Sequence, residues 1–357
     1  MQEYKDLKNE CLAIGSLPCK NLTEAMNIVE KYYYNIPFCP QLPKLSKKED
    51  MIIQYLENMP GIEYDSLSEN YFLNQEKDSL SEELESLFLA YEDTLTDINC
   101  EELNKYGITS EYSKAFYPFI DLVKRLKPRY AKSQITGPFT LSTSMTDKDG
   151  RCAYYDETLR EIVVKTLSLK ALWQIKEIKQ ASRGTTPIIF IDEPTLSQLG
   201  TSAYVTIPPS EIIEIIKEIS DLIQSNGGIS AIHCCGKCDW SIPMKVGMNI
   251  INFDAFSYAE NMSLFTKDLK HFLSNNGKIA WGIVPTLDKK ALIKTNAKEI
   301  EQKLELAKSL LINKGIDKKL IEENLLISPS CGCGSLSVEL AEKAIKLTKE
   351  LSDKLKG

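Results

Sequence analysis

Short apolar runs alternating with amphipathic stretches predict an α/β fold, a single (β/α)8 TIM barrel over residues 1–357 with an insertion after the second strand. Three observations carry this. Eight runs of buried-strand character recur along the chain, and most are followed by a segment of helical periodicity. Residues able to do chemistry gather just past the ends of the runs, where barrel enzymes keep their active sites.

The runs fall at 12–14, 36–39, 130–135, 188–191, 229–232, 250–253, 279–284 and 325–327. The helices between them are clearest in the second half. Ser210 is expected to cap a helix whose Ile212, Ile213, Ile215, Ile216, Ile219, Leu222 and Ile223 form a wide apolar face, closed by Gly227 and Gly228. Residues 297–313 and 338–354 repeat the pattern with charged outer faces. Asp156 is expected to cap a long helix reaching about residue 180. Residues 46–110 break the rhythm with charge-rich stretches such as Glu82-Glu83-Leu84-Glu85, which marks them as the insertion.

Composition narrows the function. The 357 residues are 43% hydrophobic and 26% charged, ordinary for a globular chain with a substantial core. A net charge of -7 and a pI near 5.3 argue against a nucleic-acid surface. The polar start, Met1-Gln2-Glu3-Tyr4-Lys5-Asp6, and the lack of any run long enough to span a bilayer place the expected location in the cytoplasm, with no membrane partner. Ten cysteines then read as reduced thiols and ligands rather than a disulfide framework.

Five of the ten stand in two turns. His233 and Cys235 follow the run 229–232 and, two residues apart, project to the same side, whereas Cys234 points away. The run 325–327 leads to Cys331 and Cys333, either of which completes a set of imidazole and thiolates, the ligands zinc prefers. A catalytic zinc commonly keeps three protein ligands and one open position. Asp254 ends the run 250–253 and is read as a fourth ligand, an orienter of His233, or a plain strand-end acid.

Of the adjacent acids Asp192 and Glu193, one must face the barrel mouth, where a carboxylate pairs with a substrate ammonium. Ser16 and Thr136, in Gly-containing turns, are the candidates for a substrate carboxylate. Gln41 and Thr286 also follow runs. Trp240 and Tyr258 are read as roof or core, and His271 as a surface residue.

These motifs come in a familiar order. Ile14-Gly15-Ser16-Leu17-Pro18, Gly137-Pro138-Phe139-Thr140, Ile191-Asp192-Glu193-Pro194, His233-x-Cys235 and Pro329-Ser330-Cys331-Gly332 resemble the catalytic barrel of cobalamin-independent methionine synthase, in the superfamily that also holds uroporphyrinogen decarboxylase. The resemblance covers nearly the whole chain and looks like a stand-alone core form without the second, folate-binding barrel. It implies His233, Cys235 and Cys331 as zinc ligands, with Asp254 standing where the family has a liganding glutamate. It implies Asp192 at the amino group of homocysteine and Ser16 at its carboxylate. The family's Asp-Ile-His-Ser segment is absent; Gly282-Ile283-Val284-Pro285-Thr286 stands there instead.

The implied activity is zinc-dependent methyl transfer to the sulfur of a small thiol, homocysteine first. The donor is methylcobalamin, a methyl-corrinoid protein or a folate, and a corrinoid protein is expected to meet the insertion. The alternatives are coenzyme M or tetrahydrofolate as acceptor, a uroporphyrinogen decarboxylase-like lyase, and a structural metal site without catalysis.

Overall fold

The computed structural model describes residues 4–357, so the start of the polar N-terminal stretch lies outside the described residues. A small antiparallel hairpin, β1 (Ile62–Asp65) and β2 (Asn70–Leu73), precedes the main sheet. The main sheet holds six parallel strands in sequential order: β3 (Tyr130–Thr136), β4 (Thr186–Asp192), β5 (Ile229–Cys234), β6 (Ile250–Phe253), β7 (Lys278–Val284) and β8 (Leu325–Pro329). All six are buried along almost their whole length, as expected of strands covered on both faces.

The sheet curls into a half-barrel, with the two earlier apolar runs along its edges. At one edge Leu12 N donates to Ile327 O at 2.8 Å and Ile327 N to Glu10 O at 2.9 Å. At the other, Lys132 N donates to Pro37 O at 2.8 Å and Cys39 N to Lys132 O at 2.9 Å. The expected strands at 12–14 and 36–39 are therefore isolated bridges rather than regular ladders. Pro37 and Pro40 flank Phe38 and Cys39 and cannot donate, so a ladder on that side is broken at both ends. The two segments also meet each other, with Leu17 N donating to Gln41 O at 2.9 Å.

Side-chain alternation splits the core in two. Ile188, Phe190, Ile229, Ala231, Ile250, Ala280 and Leu326 form a small inner cluster, while Ile189, Ile191, Ile232, Ile251, Ile279 and Ile327 pack outward into the larger core with the helices. Each Ile, Leu or Phe among them contributes about 1.5–3 kcal/mol by burial. The inner face changes character toward the carboxyl ends of the strands. In register across β3 to β6 lie Thr136, Asp192, His233 and Asn252, which continue the parity of the inner apolar residues.

The helices follow local chemistry. Asp156 accepts from Leu159 N at 2.9 Å and caps the helix Glu157–Ala181, as expected. The helix Pro209–Ser225 starts one residue earlier than its expected cap. Pro209 takes its first position, where a fixed φ is pre-organised and no N–H is needed, so Ser210 lies inside the first turn. Gly227, at φ +69°, ends it, and Gly228 N returns to Ile223 O at 2.9 Å.

The insertion is better buried than its charge implied. It holds the β1–β2 hairpin and the helix Leu80–Thr96, and Tyr55, Leu56, Met59, Leu73, Leu87 and Leu103 are all buried. Two polar clamps fix it. Glu49 accepts from Leu42 N at 2.8 Å and Lys114 N at 2.9 Å, and Tyr55 donates to the Gln134 carbonyl in β3 at 2.8 Å. Among the described residues no helix is long and apolar enough to cross a membrane.

Candidate active site and metal centre

β5 runs through His233 to Cys234, two residues beyond the apolar run, and so holds His233 in register between Asp192 of β4 and Asn252 of β6. His233, Cys235 and Cys331 come together there, with their ligand atoms all within 4.8 Å of one another. The two ends of the imidazole differ. His233 Nδ1 is hydrogen-bonded to Asn252 Oδ1, while Nε2 is buried and has no partner.

Asn252 settles which way that bond runs. Its Nδ2 donates to Ala280 O at 2.9 Å and to Ser328 Oγ at 2.5 Å, so its amide oxygen faces His233 as an acceptor. Nδ1 then carries its proton toward Asn252, and Nε2 is the nitrogen left to a metal, which would take the place of any proton there. An unpartnered buried nitrogen beside two thiols fits zinc, which takes nitrogen and sulfur donors.

Cys331 is held by the turn that follows β8. Its N–H donates to Thr286 Oγ1 at 2.9 Å, and the same hydroxyl donates back to its carbonyl at 2.9 Å. Gly332 lets this turn approach the first segment, since a Cβ there would lie 2.2 Å from Ser16 Oγ. Cys333 does not join the group. It is buried, burial pushes its thiol up to about 12, and its N–H donates to Ser16 O at 2.9 Å.

Proton sharing couples the three ligands. A hydrogen bond from Cys331, with help from His233, draws Cys235 well below the ordinary thiol value against the effect of burial. The same bond pushes Cys331 well up. Burial alone would lower His233, but the Cys235 thiolate and Asp192 outweigh it and hold the imidazole at about 9.

The group opens into a cavity of about 270 Å³ lined by Ile14, Ser16, Gln41, Asp192, Met51 and Gly334 among others. Asp192 is the acid that faces it. Its Oδ1 is buried without a partner, and burial raises its carboxyl. Ser16 also lines the cavity, and its Oγ accepts from Gly334 N at 3.2 Å. None of the lining side chains is Lys or Arg.

The other expected residues have structural work. Glu193 is fully buried and accepts from Phe139 N at 2.9 Å, Thr140 N at 2.8 Å and Thr140 Oγ1 at 2.6 Å, capping the helix Pro138–Ser144. A Cβ on Gly137 would lie 2.1 Å from its carboxyl carbon. Thr136 donates its hydroxyl to the Met51 carbonyl and does not line the cavity. Asp254 accepts from Ser257 N at 2.9 Å, capping the helix Ala255–Met262, and stands outside the three-residue group. Trp240 is core, donating to Asn261 Oδ1 at 2.8 Å; Tyr258 does not line the cavity, and His271 is exposed.

Two contributors escaped sequence reading. Asn252 was legible in principle as a lone polar residue inside a buried strand. The wall formed by Glu49, Asp50 and Met51 gave no signal, since a charged stretch in an insertion reads as solvated surface.

No family model matches the chain. It is 27% identical over 239 residues to a methionine synthase of Methanocaldococcus jannaschii, a match covering 66% of this chain and 68% of that protein. It shares its fold with a methyltransferase from Methanosarcina mazei, at a TM-score of 0.58 and 11% identity, over 98% of this chain and 95% of that one. The sequence likeness supports an enzyme, a methyltransferase, in a superfamily of the methionine synthase kind.

Proposed function

We propose that the chain is a zinc-dependent methyltransferase that moves a methyl group from a methylated corrinoid, or from a folate, to the sulfur of a small thiol, with homocysteine as acceptor and methionine as product. One observation carries the reading: His233, Cys235 and Cys331 have their ligand atoms within 4.8 Å, and His233 Nε2 is buried without a partner. When bound, zinc supplies the charge that keeps a coordinated thiol ionised at neutral pH.

The remaining work falls to the chain. Asn252 holds the imidazole in the ligating tautomer, and Thr286 holds the Cys331 turn. Asp192, buried and unpartnered through Oδ1, receives the substrate ammonium, and Ser16 with the glycine turn 332–334 receives its carboxylate. The sulfur then forms a bond to the methyl carbon as the carbon–donor bond breaks, its electron pair leaving with the donor. Confinement in a cavity of this size supplies alignment.

In this reading the chain works as one unit in the cytoplasm, the half-barrel being completed by residues 10–16 and 36–41 into a (β/α)8 barrel. A corrinoid donor protein approaches the mouth beside the insertion. A decarboxylase acting on a polycarboxylate fits poorly, since no Lys or Arg side chain lines the cavity. A sulfonate thiol such as coenzyme M would face the Asp192 carboxylate.

The test is metal content by plasma mass spectrometry on protein purified without chelators. The expected result is about one zinc per chain, lost in Cys235→Ser and Cys331→Ser and kept in Cys333→Ser. Homocysteine methylation with methylcobalamin should follow the metal across the series. A folded wild type that neither holds nor takes up zinc overturns the proposal.

A further inference from the structure

Lys132 is fully buried on the inner face of β3, and the proposed chemistry does not use it. Its Nζ donates to Gln134 Oε1 at 2.7 Å and to the carbonyl of Ile14, and it stands 4.7 Å from the centre of the Phe190 ring. It enters no ion pair among the described residues. A buried ammonium served only by neutral oxygens is costly, and it persists where its charge is needed or its bonds hold something in place.

Burial pushes Lys132 down to about 8, with the Asp192 carboxylate the main charge opposing that fall, so the cation dominates at neutral pH. The walls of the cavity carry Glu49, Asp50 and Asp192, and no Lys or Arg balances them; the one basic side chain there is His233, which belongs to the candidate metal group. Ile14, whose carbonyl Lys132 holds, lines that cavity, and so does Ser16 two residues on. The positive charge is thus fixed behind the Ile14 and Ser16 wall.

We propose that Lys132 is a positioning and specificity-determining residue whose buried charge makes the Ile14 and Ser16 wall favour a carboxylate on the incoming thiol. Asp192 takes the ammonium, and the cavity thereby selects a zwitterionic amino-acid thiol over simpler thiols. The inference rests on the methyl-transfer reading above.

Calorimetric titration of the metal-containing protein tests it with three probes: homocysteine, 4-mercaptobutyrate, which lacks the amino group, and 3-aminopropane-1-thiol, which lacks the carboxylate. Lys132→Gln keeps a donor toward Ile14 and removes the charge; Lys132→Met removes both. In each, affinity for the two carboxylate-bearing thiols should fall on the order of tenfold, as for one unit charge acting across several ångströms of protein. Binding of the aminothiol and the metal content should stay unchanged. The selectivity is read within each variant, so a general loss of stability does not imitate it. In the wild type, homocysteine should bind roughly tenfold more tightly than its carboxamide, for the same reason. Equal weakening of all three probes, no weakening, or equal binding of acid and amide overturns the assignment of Lys132 alone. A wild type that binds none of the thiols overturns the methyl-transfer reading, and this inference with it.

Discussion

Asn252 shows how much a single amide can decide. With both of its donors taken by Ala280 O and Ser328 Oγ, it presents only its oxygen to His233, and the imidazole has one tautomer available. Asn252→Leu, close in size but without an acceptor, should leave the fold intact and weaken metal affinity about 10- to 100-fold, whereas Asn252→Asp should keep it. A competition titration against a chromogenic chelator measures both. Undiminished affinity in the leucine variant would mean that the ligand set needs no orienting partner. Asp254, which the sequence offered as a ligand, an orienter of His233 or a plain strand-end acid, accepts from Ser257 N and stabilises the start of its own helix. Residue type and position suggested it, but a free strand-end acid followed by a helix is also a good cap, and that local bond is the one the structure forms.

At the level of elements, the βα turn after β4 splits two adjacent acids between two tasks. Asp192 keeps the inner parity of its strand, while Glu193 turns back under the Gly137-Pro138 corner. Burial raises Glu193 to about 7 from 4.5 despite three donors. The folded chain therefore holds that proton more tightly than the unfolded chain does. The contribution of Glu193 is most favourable below about pH 4.5 and falls as pH rises through about 7. Urea midpoints of the wild type and Glu193→Gln, compared at pH 5 and pH 8, should show the wild type losing ground at the higher pH. A constant difference would place the charged form at no disadvantage in this site. Strand positions were legible here because Ile-rich runs in a doubly covered sheet leave few other readings, and Asp156 was legible because a cap is a local bond. The split between Asp192 and Glu193 was not, because it depends on a helix more than fifty residues earlier in the chain.

Across the whole molecule, the parts hardest to read are those where polar residues serve the interior. Prolines interrupt the ladder at the second apolar run, so a regular strand was expected where only bridges form. The insertion contributes a wall through Glu49 and Met51, yet composition gave it the look of a solvated surface. Its two ends should differ in importance. Replacing the exposed hairpin tip 65–70, where Leu67 is 95% exposed, with a short glycine link should preserve metal content and thiol binding. If a corrinoid protein docks on the insertion, the same change should slow transfer from that protein while sparing free methylcobalamin. Equal rates with both donors would locate docking elsewhere.

The three candidate ligands come from separate strands of the main sheet: His233 and Cys235 from the end of β5, in its interior, and Cys331 from just past β8, the edge strand that also pairs with residues 10–12 at the beginning of the chain. A metal held there is a tether between parts of the polypeptide that would drift far apart once unfolded. On the proposed zinc-dependent reading, the metal's concentration enters the folding equilibrium directly, and a cell short of zinc would hold a less durable protein as well as an idle one.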